Sequence, residues 1–162
     1  EPHNWVTAWV ALTDSNENNG CMKMWPKSHL NIKDHNEKFN EGNLLTRGQT
    51  VENVPEDEVK SIELKAGQMS LHHPRVVHGS GINKSNDRRI GFVIQSYIGT
   101  NVNQVIGKMF VQKARGEDEY KFHEYSKIPI ELMGKNEISS QNKANKELAK
   151  IFYSNSKIVG KF

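Results

Sequence analysis

Disulfides, membrane spans and a charged binding face are all beyond the means of this 162-residue chain. Its single cysteine, Cys21, has no partner, so no internal disulfide can close and a reducing, cytoplasmic setting is the expectation. No apolar run nears the ~20 residues needed to cross a bilayer, and none of the sequence reads as a secretory leader. Neither sign of charge is in excess: 22 Lys and Arg stand against 19 Asp and Glu, scattered along the chain, with no basic stripe for nucleic acid. Repeats and low-complexity tracts are missing too. Asn83-Lys84-Ser85 is formally a glycosylation sequon but reads as turn chemistry. The length suits one domain with a core, not two.

What is present is a series of short strands. Trp5 to Leu12 is β-branched, aromatic or small, as a strand buried on both faces would be. A polar turn ending in Asn19-Gly20 follows, and Cys21 to Trp25 is expected to return antiparallel as a half-buried strand. Residues 31–57 form a long polar stretch with little periodicity, expected to be a lid over the mouth of a barrel. Alternation resumes at Val59 to Leu64 and Gln68 to His73. Arg89 to Ile98 is the longest strand, with Ile90, Phe92 and Ile94 on an oily face and Arg89, Gly91, Val93 and Gln95 on a mixed one. Residues 102–111 hold a further strand or short helix. Ser139 or Ser140 is expected to cap a helix running to about Phe152. Strands first and a helix last predict a mainly β fold, an antiparallel sandwich or jelly roll.

Chemistry gathers in Ser70-Leu71-His72-His73-Pro74-Arg75-Val76-Val77-His78-Gly79-Ser80 and in Arg88-Arg89 beyond it. A neutral imidazole ligates iron, zinc or copper, and a guanidinium grips a carboxylate through two parallel hydrogen bonds. His72 and His73 read as ordinary polar residues of a strand end. His78 is the candidate metal ligand. Arg89 is expected at the base of a strand pairing with the one that carries His78, its charge seeking an anion, with Arg88 the exposed neighbour.

Four ordered motifs strongly resemble the phytanoyl-CoA dioxygenase family: Val6-Thr7-Ala8-Trp9-Val10-Ala11-Leu12, Asn19-Gly20-Cys21, Pro26-Lys27-Ser28-His29, and His78-Gly79-Ser80-Gly81-Ile82-Asn83-Lys84-Ser85 through Arg88-Arg89. The resemblance covers roughly Trp5 to Tyr97. It implies an iron(II)- and 2-oxoglutarate-dependent oxygenase on a double-stranded β-helix, incomplete at its N-terminus. It divides the chain into an oxygenase portion, 1–125, and a partly helical extension, 126–162. By the same resemblance His78 is an iron ligand, Arg89 and Ser80 bind the far carboxylate of 2-oxoglutarate, and Trp9 lies beside that cosubstrate. Lys27 stands where family members usually carry glycine. The family's remaining iron ligands form a His-x-Asp motif ahead of the first strand, and here His3 is followed by Asn4 and Trp5. The chain begins without methionine, so it is expected to be the remainder of a longer protein, with that motif about ten residues upstream.

The implied reaction is hydroxylation of a small organic substrate by dioxygen, with 2-oxoglutarate decarboxylated to succinate. Two rivals stay open: a related non-haem iron halogenase, and a metal-free jelly-roll binding module. Substrate identity and oligomeric state leave no signal in the sequence.

Overall fold

The computed structural model describes residues 2–31, 33, 36–37, 49–154 and 156. Its elements are β1 (Trp5–Ala11), β2 (Met22–Met24), a 3-10 turn (Ser28–Leu30), β3 (Asn36–Glu37), β4 (Gln49–Thr50), β5 (Lys60–Ile62), β6 (Met69–His72), β7 (His78–Ser80), β8 (Gly91–Ile98), β9 (Phe110–Val111), β10 (Glu124–Tyr125) and α1 (Lys135–Phe152). The protein is mainly β with one C-terminal helix. It divides into two compact units, one carrying the described residues from Trp5 to Ile98, the other those before Trp5 and after Ile98.

The first unit contains two antiparallel three-stranded sheets, ordered β6-β1-β8 and β5-β2-β7. Strand β1 is central because its Trp-Val-Thr-Ala-Trp-Val-Ala run favours a pleated surface and tolerates neighbours on both edges. Alternation sorts its side chains. Trp9 and Ala11 pack on Met22 and Met24 of β2, with Ile62, Leu64 and Val76 alongside. This small core lies between the sheets, and burying a large apolar side chain there contributes about 1.5–3 kcal/mol. The opposite face of the first sheet brings Ala8 and Val10 into register with Leu71, Met69, Phe92 and Ile94. The middle strand is buried or half-buried throughout, yet Leu71 and Phe92 beside it are 64% and 57% exposed.

Strand β2 corrects one expectation. The chain does return after Asn19-Gly20, but β2 pairs with β5 and β7 in the second sheet rather than with β1. The loop between them is folded on itself. Asn16 N–H donates to Asn19 Oδ1 (2.8 Å), Asn19 N–H donates to Asn16 Oδ1 (3.1 Å), and Ser15 bridges to Leu64. That compact corner carries the chain across the core instead of back along β1. Gly20 (φ 76°) sits so close to the next loop that a Cβ would lie 2.6 Å from the Gly81 carbonyl oxygen. Of the expected lid, residues 32, 34–35 and 38–48 lie outside those described; within its bounds β3 and β4 pair antiparallel.

In the second unit β9 and β10 pair in parallel, and Lys143 of α1 reaches Glu124 (Nζ–Oε1 3.4 Å). The helix begins at Lys135, four residues before the expected serine caps. Gly134 is the N-cap, without a side-chain bond, and Ser139 and Ser140 lie inside the helix. Glu137 in the first turn instead fastens the preceding segment, its Oε1 accepting from the N–H of Ile130 (3.3 Å). Among the described residues no helix is long and apolar enough to cross a membrane.

Candidate functional site

The gap between the two sheets is where the sequence-predicted residues meet. On β7, His78 stands opposite Met24 and Ser80 opposite Met22. Directly opposed residues share a face, so both side chains lie on the side of the core methionines, though both remain exposed. On β6, Ser70 stands opposite Trp9 and His72 opposite Thr7, so these face the same gap from the other sheet.

His78 is held in one tautomer. Its Nδ1 lies 2.7 Å from the Val76 carbonyl oxygen, which can only accept, so Nδ1 carries a hydrogen and the lone pair of the neutral ring is on Nε2. The segment that carries it is pinned as well. Trp25 N–H donates to Val77 O (2.9 Å), and the buried Ser28 hydroxyl accepts from Val77 N–H (2.8 Å) while donating to Trp25 O (2.7 Å). Ser28 therefore ties the end of the second strand to the residue before His78.

Arg89 precedes β8 and is half-buried, whereas Arg88 is exposed, as expected. The strand pairing differs from expectation. β8 pairs with β1, and β7 with β2, so Arg89 and His78 come from different sheets. They still reach one region: Arg89 Nη2 donates to Ser80 Oγ at 3.2 Å, and Ser80 shares its face with His78 two residues back. The guanidinium also lies 5.5 Å from the Trp9 ring centroid. Gly91 makes this possible, because a Cβ there would overlap the Trp9 indole. Among the described residues no carboxylate pairs with Arg89.

His72 is the residue that sequence reasoning set aside. It is 8% exposed, and its ring centroid is 5.4 Å from that of His78. Burial, reinforced by the neighbouring His78, holds its pKa below the ordinary histidine value. Alternation placed it on the opposite face from Leu71 but gave no sign that a second sheet would bring His78 up to it. Nearby, His29 and His73 form another ring pair, centroids 5.2 Å apart. Cys21 is buried, and desolvation followed by the nearby Glu63 pushes its thiol pKa up, so it is a structural residue rather than a nucleophile. Among the described residues, no group of three or more His, Cys, Asp or Glu side chains is placed to hold a metal ion.

Taken together, these features define a mainly β protein in which an exposed imidazole and a guanidinium–hydroxyl pair suited to an anion lie near one another at the open side of two sheets. The chain belongs to the phytanoyl-CoA dioxygenase (PhyH) family, whose family model matches residues 1–91. It is 29% identical over 86 residues to the peroxisomal phytanoyl-CoA dioxygenase of Homo sapiens, an overlap of 52% of this chain and 25% of that protein. To a probable alpha-ketoglutarate-dependent hypophosphite dioxygenase of Stutzerimonas stutzeri it is 30% identical over 112 residues, 65% of this chain and 39% of that one. Among solved structures, the apo form of the non-heme monooxygenase ThoJ superposes with a TM-score of 0.79 at 25% identity, covering 95% of this chain and 56% of the other. The chain thus spans well under half the length of these curated relatives.

Proposed function

We propose that the chain carries the cosubstrate-binding part of an iron(II)- and 2-oxoglutarate-dependent dioxygenase that hydroxylates a small organic substrate. Its two sheets would be part of a double-stranded β-helix, with 126–162 an appended, partly helical segment. One observation carries the reading: Arg89, stacked near Trp9 and bonded to Ser80, has no carboxylate partner among the described residues. A dicarboxylate supplies the missing charge. In this reading Arg89 grips its far carboxylate, the Ser80 hydroxyl donates a further hydrogen bond, and Trp9 walls the cosubstrate off from water.

The donor chemistry of His78 fits iron, since its Nδ1–H is committed to Val76 O and Nε2 remains available. Iron held there would supply dioxygen activation coupled to decarboxylation of 2-oxoglutarate to succinate and carbon dioxide. The residues of this chain do the rest: Val76 and Ser28 fix the imidazole, and Arg89 with Ser80 sets where the 2-oxo acid can lie.

Calorimetric titration of 2-oxoglutarate into the chain and into Arg89→Ala tests the reading. Removing a charge-assisted contact of about 1.5–3 kcal/mol lowers affinity roughly 10- to 100-fold, with the circular dichroism spectrum unchanged. Equal affinity in parent and variant overturns the assigned role.

A further inference from the structure

Two features of the second unit have no use in the chemistry above. The first is the loop of residues 128–133, between β10 and α1. Its Ile128, Ile130, Leu132 and Met133 are 81%, 95%, 95% and 75% exposed. The backbone of the loop is nevertheless held. Glu137 Oε1 accepts from the N–H groups of Ile130 (3.3 Å) and Glu131 (3.5 Å), and Gly134 N–H donates to Glu131 O (3.3 Å). An anchored main chain thus presents apolar side chains to solvent.

The second feature is a row of lysines on α1. Charge that is scattered along the sequence is gathered by the helical repeat, which sets Lys135, Lys143, Lys146 and Lys150 within ~80° of one another around the axis and spreads them ~22 Å along it. All four are exposed, while Ala144, Leu148 and Ile151 on the other side are half-buried. Ile151 packs against Gly107, where a Cβ would lie 2.9 Å from its Cγ1. The helix is therefore seated on its apolar side, with the lysines turned away from that contact. Lys143 pairs with Glu124 and Lys150 with Glu147, yet both lysines stay solvent-exposed, and surface ion pairs of this kind contribute little. Lys127 and Lys135 bracket the loop. The chain's net charge of +3 lies wholly in residues 99–162; before them, acids and bases nearly cancel.

We infer that this loop and the lysine row dock the protein on an anionic lipid bilayer, the apolar side chains entering the boundary between headgroups and acyl chains and the lysines meeting lipid phosphates and carboxylates. Charge complementarity selects an anionic surface. The near-complete exposure of Ile130 and Leu132 selects a fluid one, since no wall of this unit stands beside them to build a groove for a folded partner. The contact is surface docking rather than a span, and it is independent of the metal and the cosubstrate.

Co-sedimentation with vesicles of phosphatidylcholine and phosphatidylserine, three to one, tests it, with vesicles of phosphatidylcholine alone as the control. The chain is expected to pellet with the mixed vesicles and to bind the neutral ones roughly tenfold more weakly. Ile130→Ser/Leu132→Ser and Lys135→Gln/Lys146→Gln should each lower partitioning into the mixed vesicles by about tenfold, with the circular dichroism spectrum unchanged. No pelleting of the parent with mixed vesicles overturns the inference, as does equal binding to neutral ones. Parent-like binding in either double variant overturns it too. Binding lost instead in Leu71→Ser/Phe92→Ser assigns the contact to the outer face of the β6-β1-β8 sheet, against the loop. Pelleting without vesicles that Ile130→Ser/Leu132→Ser abolishes assigns the loop to a second copy of the chain and likewise overturns the inference.

Discussion

Lys27 enters the 3-10 turn with φ 63° and ψ 0°, a left-handed conformation that crowds any Cβ. Glycine is the usual family residue at this position for a reason the backbone now makes plain. Left-handed strain of about 1–2 kcal/mol outweighs the extra chain entropy that glycine loses on folding, about 0.5–1 kcal/mol. Lys27→Gly is therefore expected to stabilise the protein by roughly 0.5–1 kcal/mol, seen as a higher midpoint in urea with an unchanged slope. An unchanged or lower midpoint would show that the strain is relieved elsewhere. At this scale the sequence was most readable. His78 and Ser80 share a face because they are two apart in a strand. His72 was less readable, since a lone histidine at a strand end looks alike whether it meets solvent or another imidazole.

Elements are joined here by polar contacts that alternation does not reveal. Asp14 accepts from the N–H of Ala66 (2.9 Å) and pairs with Lys65 (2.9 Å), fastening the turn before β6 to the loop after β1. The Ala66 N–H first, then Lys65, hold this carboxyl below its ordinary 3.8. A depressed folded pKa means stability that is present above 3.8 and lost as pH falls through the lower, folded value. Asp14→Asn should lower the melting temperature at pH 7, and the gap to the parent should close as the buffer is taken below about 3.8. A gap that is constant with pH would assign the effect to packing. The same dependence on distant partners explains one of two misplaced elements. β2 is short, and only its pairing with β5 and β7 says which sheet it joins. α1 starts at Lys135 after Gly134, with no side-chain cap, whereas the two serines looked like caps by type alone.

For the whole molecule, the consequential feature is the outer face of the β6-β1-β8 sheet. Leu12, Met69, Leu71, Phe92 and Ile94 are each between 42% and 64% exposed, and register places the last four beside Ala8 and Val10. A contiguous apolar surface of this kind drives association in water. The chain is expected to bind an environment-sensitive naphthalene dye and to show concentration-dependent light scattering. Leu71→Lys with Phe92→Lys should suppress both, while shifting stability by no more than about 0.5 kcal/mol, as surface substitutions do. Scattering indifferent to the double variant would locate the sticky surface elsewhere. The oily row itself was visible in Phe92 and Ile94; that it faces outward follows only from which side of β1 meets β2.

Strands β6 and β7 follow one another in the chain yet belong to opposite sheets, joined by residues 73–77 alone. That crossing works as a ruler. Delete one residue from it, and β7 must either slip in register or present its other side, turning His78 and Ser80 outward and Gly79 in. The count of residues in the span, more than their chemical identity, decides whether an imidazole arrives opposite His72 at all.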